Sequence, residues 1–195
     1  MVRHVRARGN GGRRVRPGLA LIIALLPVAS GCSLLGGLGS QGLKTAQAMI
    51  VTSPVFSSDL PIPAQYTCEG AGLSPPLLWS GAPQAGATKS FAIVVDDSQA
   101  PISPYVYWIV FDISPTTTAV PQNQLPPHAR VGLNSRGMAR YDPPCPAAPS
   151  HQYRFTVYAL NARLRLPNGA GLRETWSAIA RHVIGIGRLT ALARQ

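Results

Sequence analysis

Four segments of the chain carry apolar, aromatic and β-branched residues in patterns typical of β-strands. The clearest is Ser90 to Asp96, whose nearly continuous apolarity predicts a strand covered on both faces. Met49 to Phe56 and Tyr105 to Ile113 are rich in β-branched or aromatic residues, which favour extended structure. Tyr153 to Leu160 alternates, and one of its faces would carry Tyr153, Phe155, Val157 and Ala159. These segments predict a mostly β domain.

The period of the apolar residues changes near the C-terminus. Spacings of three and four residues predict one helix, whose apolar face would carry Leu172, Trp176, Ile179 and Val183. Asn168-Gly169 breaks the chain before this helix, Gly185 and Gly187 end it, and Ile186 to Leu192 can return as a strand. The predicted fold class is therefore mostly β with one C-terminal helix.

Residues 1–31 have the features of a lipoprotein signal peptide. Six arginines and no acid precede an apolar stretch, Leu19 to Val28, that is too short to span a bilayer. The small residues before Cys32 resemble a bacterial lipobox, in which the cysteine is acylated and becomes the new N-terminus. We expect a lipoprotein with palmitate on Cys32, held at the extracytoplasmic face of the cell membrane. A plain cleaved signal peptide is the alternative, and Arg13-Arg14 leaves Sec and twin-arginine export both open.

Two further parts follow the signal peptide. Residues 32–48 are rich in glycine and form the lipidated N-terminus and a flexible linker, and residues 49–195 form one domain. A formal G-x-G-x-x-G made by Gly37, Gly39 and Gly42 follows the lipidation site rather than a strand. No dinucleotide cofactor is therefore expected.

Export changes the charge balance of the chain. The whole sequence has 18 Lys and Arg against 7 Asp and Glu, a net charge of +11. Six arginines leave with residues 1–31, so the mature chain keeps 12 basic residues against 7 acidic ones, net +5. These charges are scattered and are not interleaved with aromatic residues, so no nucleic-acid partner is expected. They suit a domain tethered at an anionic membrane surface.

The sequence offers few groups for catalysis. It has no G-x-S-x-G, H-E-x-x-H or P-loop signature, so we do not expect an enzyme. His128 is expected in an exposed loop, and His182 is expected beside the apolar stripe of the helix in a structural role. His151 precedes a strand and follows a proline-rich segment, which makes it either a pocket residue or an ordinary strand-end histidine. A metal site on His151, Asp97 and Cys145 is not expected, because their spacing resembles no known ligand set.

Three motifs together resemble the phosphatidylethanolamine-binding protein (PEBP) family. They are "SPPLLWSGAP" from Ser74, "KSFAIVVDDSQAP" from Lys89 and "YDPPCPAAPSHQYRFTVYAL" from Tyr141. The branch they match is the bacterial YbhB/YbcL group, often labelled Raf kinase inhibitor-like, and the resemblance runs from about Ile50 to Ala193. It implies two packed antiparallel sheets with Greek-key elements, a C-terminal helix and a small anion pocket.

The resemblance also implies a set of ligand-binding residues. Asp97 matches the first acid of the family's D-P-D-A-P corner, and His151 and Tyr153 match the histidine and tyrosine of H-R-Y. The remaining pocket positions are Tyr107, Tyr141, Pro144 and Pro146. Tyr107 stands where the family has a second histidine, and further departures are Ser98, Gln99, Pro143, Ala147 and Gln152. Losing a donor that can be charged weakens the case for a phosphate-type ligand and favours a neutral or weakly bound anionic one.

Cys68 and Cys145 are the only thiols left in the exported domain. Export favours pairing, and the resemblance places "YTCEG" and "PPCPA" at the same end of the fold; two buried thiols are the alternative. The overall reading is a membrane-anchored, non-catalytic protein that binds a small ligand. An inhibitor or regulator that contacts another exported protein is the second hypothesis.

Overall fold

The computed structural model describes residues 45–84, 86–97, 99–100, 104–145 and 151–193. The predicted signal peptide, Cys32, most of the linker and Pro146 lie outside these residues. No described helix is long and apolar enough to cross a membrane. The elements are β1 (Gln47–Thr52), a short 3-10 helix (Ala64–Tyr66), β2 (Leu77–Ser80), β3 (Ser90–Asp97), β4 (Tyr105–Ile113), β5 (Ala119–Val120), β6 (Arg130–Val131), β7 (His151–Leu160), α1 (Leu172–His182) and β8 (Val183–Ala193).

The four predicted strands are present. All eight residues of β3 are buried, because two separate apolar clusters cover its two faces. β4 has the predicted bounds, and β7 begins two residues earlier than predicted, at His151. β1 is shorter than predicted and ends at Thr52. The predicted inward face of β7 is confirmed, since its alternate residues Tyr153, Phe155, Val157 and Ala159 are fully buried.

The strands form one hydrogen-bonded series in the order β5-β2-β1-β8-β7-β3-β4-β6. The four strands β7-β3-β4-β6 pair antiparallel in the order of a Greek key. The prediction of two separate antiparallel sheets is not confirmed in that form, because the series is continuous and β1 pairs with β8 in parallel. Parallel pairing is possible here because β1 and β8 lie far apart in the sequence.

The sheet curls around its larger apolar cluster. Four strand-to-strand steps separate β2 from β3 and would cover about 19 Å in a flat sheet. The rings of Trp79 on β2 and Phe91 on β3 are nevertheless 5.5 Å apart. The β1–β2 end of the sheet therefore folds over the face of β3 and β7, and the main core lies between them.

Helix α1 covers the opposite face of the sheet. Its buried residues are Thr175, Ala178 and Ile179, which pack above β3 and β4. The predicted apolar face was partly wrong. Trp176 keeps 38% of its surface exposed, and Val183 opens β8 instead of closing the helix. Ile179 of the predicted face is buried and Leu172 packs against the same cluster, and the buried side also includes the small residues Thr175 and Ala178.

Candidate functional site

The two acids at the end of β3 point to opposite faces of the sheet. Asp96 accepts two hydrogen bonds from the guanidinium of Arg154, one of them 3.1 Å from Nε. Asp97 lies on the other face, opposite Tyr153 in the strand register. Both aspartates are buried. Because successive side chains of a strand point to opposite faces, the Asp96–Arg154 ion pair lies on one face of the sheet and the candidate site at Asp97 lies on the other.

Asp97 is bonded to His151 across the start of β7. His151 Nδ1 donates to Asp97 Oδ2 at 2.5 Å, and the backbone N–H of Gln99 donates to Asp97 Oδ1 at 2.7 Å. The histidine side chain keeps 22% of its surface exposed, against 3% for the carboxylate. Both Asp97 oxygens are therefore occupied, and Nε2 of the partly exposed His151 has no hydrogen-bond partner among the described residues. The carboxylate acts as the residue that orients the imidazole.

Two glutamines close the corner after β3. Gln99 Oε1 accepts the backbone N–H of Gln152 at 2.9 Å, and Gln152 Nε2 donates to Asp59 Oδ1 at 3.1 Å. These are two of the positions where the sequence departs from the family pattern. Gln99 thus links the end of β3 to β7 by a bond between two neutral groups. Gln152 links β7 to the loop after β1 by a bond to a carboxylate.

Two aromatic side chains lie close to Asp97. The rings of Tyr107 and Tyr153 meet edge to face, with centroids 5.4 Å apart. Burial, followed by the proximity of Tyr153 and Asp97, raises the pKa of Tyr107. Burial raises the pKa of Tyr153 to about 12. Both phenols are therefore neutral at ordinary pH and keep their O–H donors.

The hydroxyl of Tyr153 has an unusual position. It is buried and, by hydrogen-bond geometry, has no partner within the described residues, although the Tyr107 hydroxyl lies close enough to it to lower its pKa. A buried hydroxyl without a partner costs about 1–3 kcal/mol. Such a group beside an oriented histidine is a polar contact that a bound ligand can complete.

Tyr141 and Pro144 support the site from one side. The hydroxyl of Tyr141 donates to the carbonyl oxygen of Tyr66 at 3.0 Å, and its ring packs edge-on against Trp108. The carbonyl oxygen of Pro144 accepts the N–H of Cys68 at 3.0 Å. The structure brings Asp97, Tyr107, His151 and Tyr153 together, whereas Tyr141 and Pro144 have their polar atoms engaged elsewhere.

A disulfide joins Cys68 to Cys145, with Cα atoms 5.2 Å apart. It links the turn after the 3-10 helix to the loop that leads towards His151. No group of three His, Cys, Asp or Glu residues among the described positions is arranged to hold a metal ion. The sulfur of Cys145 is committed to the disulfide.

Sequence reasoning missed Asp142 as part of this site. Its backbone N–H donates to the carbonyl oxygen of Tyr107 at 3.0 Å, which fixes β4 against the loop. Its buried carboxylate accepts from Tyr105 at 3.2 Å and from Arg136 at 3.0 Å. Its place next to Tyr141 in the proline-rich motif was the only available signal, since Arg136 and Tyr105 approach it through the fold.

Comparisons with known proteins agree with this fold. The family model described as phosphatidylethanolamine-binding protein matches residues 52–194. A "UPF0098 protein" of Methanothermobacter thermautotrophicus is 38% identical over 139 residues, covering 69% of this chain and 91% of that protein. A Mycobacterium tuberculosis protein named "Putative lipoprotein LppC" is 38% identical over 192 residues, covering 88% of this chain and 90% of that one.

Two solved structures are similar in fold. YbcL of Escherichia coli, described as a member of the mammalian PEBP family, superposes with a TM-score of 0.70 at 28% identity. It is matched over 75% of this chain and 98% of its own. The PEBP homologue CT736 of Chlamydia trachomatis gives a TM-score of 0.69 at 34% identity, over 77% and 99% of the two chains. The chain belongs to the phosphatidylethanolamine-binding protein family.

Proposed function

We propose that this protein is a membrane-anchored, extracytoplasmic member of the family that binds a small ligand and does not catalyse a reaction. The observation that carries ligand binding is the buried Tyr153 hydroxyl, which lacks a partner among the described residues. Its ring stacks beside an imidazole whose Nδ1 is held by Asp97 and whose side chain is partly exposed. A ligand with one acceptor and one neutral donor would satisfy both groups.

Two candidate nucleophiles among the described residues, Cys145 and Ser74, support the absence of catalysis. Cys145 is held in the disulfide, so it supplies no thiolate. Ser74 is buried and lines a separate depression of about 220 Å³ with Trp108 and Tyr141. Neither side chain is hydrogen-bonded to His151, the base that nucleophilic catalysis would use.

Tyr153→Phe is expected to lower ligand binding while leaving the fold as stable or more stable. The substitution removes a buried, unpaired hydroxyl, so the free energy of unfolding should rise by about 1 kcal/mol. The matched control is Tyr66→Phe, whose hydroxyl donates to Gln122 at 2.8 Å and whose loss should lower that free energy. Urea unfolding measures stability, and native mass spectrometry of protein purified without denaturation measures the retained small molecule. Unchanged occupancy in Tyr153→Phe would contradict the proposed site.

Anchoring rests on Cys32 and on the similarity to the mycobacterial protein named as a lipoprotein, which extends over most of both chains. We expect Cys32→Ala to abolish lipidation and release the protein from the membrane fraction. The measurements are membrane fractionation and the intact mass of the mature chain, which should begin at residue 32 and carry a diacylglyceryl group. A Cys32→Ala protein that fractionates like the wild type would place the anchor elsewhere.

A further inference from the structure

The net positive charge of the domain belongs to its last third. Residues 151–193 contain six arginines and one acid, Glu174, for a net charge of +5. Residues 45–145 contain four basic and six acidic residues, for a net charge of −2. The charges are scattered along the sequence, but residues 151–193 carry a net positive charge and residues 45–145 a net negative one.

Three of these arginines surround an aromatic pair on the helix-covered side of the sheet. Tyr158 on β7 meets Trp176 on α1 edge to face, with ring centroids 6.4 Å apart. Burial and then Asp96 raise the pKa of Tyr158, whereas Arg188 and Arg154 lower it, so both guanidiniums lie within electrostatic reach of the phenol. Arg173 and Trp176 lie together in the lining of one surface depression of about 370 Å³.

We call Arg154, Tyr158, Arg173, Trp176 and Arg188 the arginine–tryptophan face. Its central residue is the only exposed tryptophan of the domain: Trp176 is 38% exposed, against 4% for Trp79 and 3% for Trp108. The depression around it is mostly apolar, since Pro104, Val106 and Leu172 complete its lining. A half-exposed indole next to arginines is typical of a side chain placed at a membrane–water interface.

The start of the domain lies on the same side as the end of α1. Gln47, the first residue of β1, pairs with Gly185, which follows the last helical residue, His182, by three positions. The mature segment 32–44 has 13 residues. Even fully extended, 13 residues span at most about 45 Å. A lipid on Cys32 would thus keep this region within that distance of the headgroups.

We propose that the arginine–tryptophan face docks on the anionic headgroups of the membrane to which the chain is tethered. The proposal rests on the lipid anchor of the proposed function. Charge complementarity selects the occupant: Arg154 is paired with Asp96, but the exposed Arg173 and Arg188 attract anionic lipid, and two copies of this face would repel each other. The tether supplies a high local concentration, so a weak electrostatic contact is sufficient to orient the domain. The His151 site lies on the other face of the sheet, so docking would leave it facing away from the membrane and accessible to solvent.

Trp176 is itself the reporter for the test. The lipidated full mature protein is reconstituted into vesicles that contain brominated phosphatidylglycerol, and separately into vesicles of brominated phosphatidylcholine. Bromine on the acyl chains should quench the emission of Trp176 in the anionic vesicles only. Quenching should be lost at about 0.5 M NaCl, where the Debye length shrinks to a few ångströms.

Two double variants distinguish binding through this face from a general effect of net positive charge. The double variant Arg173→Gln, Arg188→Gln should lower the ratio of docked to undocked protein by on the order of tenfold. Lys89→Gln with Arg140→Gln removes the same charge from exposed residues elsewhere and should have little effect. Trp176→Phe should remove the quenching without changing flotation. Equal effects of the two charge pairs, or no quenching in protein that floats, would overturn the proposal.

The anchor and the docking fail in different ways. Flotation at high salt and the intact mass report the lipid on Cys32, whereas quenching reports the position of Trp176. If Cys32 carried no lipid, salt-sensitive quenching of protein added to the anionic vesicles would still support the face. Protection of Trp176 by concentration-dependent self-association, or by an acidic protein with no response to lipid, would overturn it.

Discussion

Removing the disulfide between Cys68 and Cys145 should lower the free energy of unfolding by about 4 kcal/mol. The two cysteines are 77 residues apart in sequence, so the bond closes a long loop and strongly restricts the unfolded chain. We expect the double variant Cys68→Ser, Cys145→Ser to show a midpoint of thermal unfolding lower by about 8–16 °C. Urea unfolding of wild type and variant, both without reductant, measures the difference.

The same bond has a chemical test that does not depend on stability. Unfolded, unreduced mature protein should show no reactive thiol at Cys68 or Cys145, and two should appear after reduction. The single variants provide the matched control, because each leaves one thiol that must label. Two labelled thiols before reduction would contradict the bond. Loss of stability should be accompanied by loosening near His151, since Cys145 begins the loop that leads to β7.

Tyr107→His should strengthen the binding of phosphate-type anions by about tenfold or more at pH 5.5. In the wild-type site both oxygens of Asp97 are occupied, and Tyr107 and Tyr153 offer only neutral donors. A histidine at 107 would add a donor that is positively charged below its ordinary pKa of about 6.5. The gain should therefore be present at pH 5.5 and disappear at pH 8. Titration with phosphate and phosphoethanolamine at both pH values measures it.

Tyr107→Phe is the matched control for this substitution. It keeps the ring that packs against Tyr153 but supplies no donor, so it should bind anions no better than the wild type at either pH. An increase in Tyr107→Phe would assign the effect to space rather than to charge. Tight binding of phosphate by the wild type, or equal affinities for all three proteins, would show that the anion does not contact position 107.

The strands around the site could be predicted because their pattern is local. β3 and β4 were visible as runs of apolar and β-branched residues, and the alternation in β7 identified its buried face. The helix was found at the right place, but its buried face was predicted only in part, since Thr175 and Ala178 carry little hydrophobic signal. The parallel partner of β1 was also invisible, because no local feature specifies a neighbour 138 residues away, as Gly185 is from Gln47.

The amino-acid pattern was enough to indicate a mostly β, PEBP-like domain, with two acids at a corner after one strand and a histidine before a later one, and to predict an export signal ahead of it. The roles of those acids and of the histidine became visible in the folded arrangement. It bonded Asp97 to His151, turned Asp96 away to Arg154, buried the Tyr153 hydroxyl and exposed Trp176. The physical reason is that strand alternation chooses the face of each side chain, whereas the register between β3 and β7, which are more than fifty residues apart, chooses its partner.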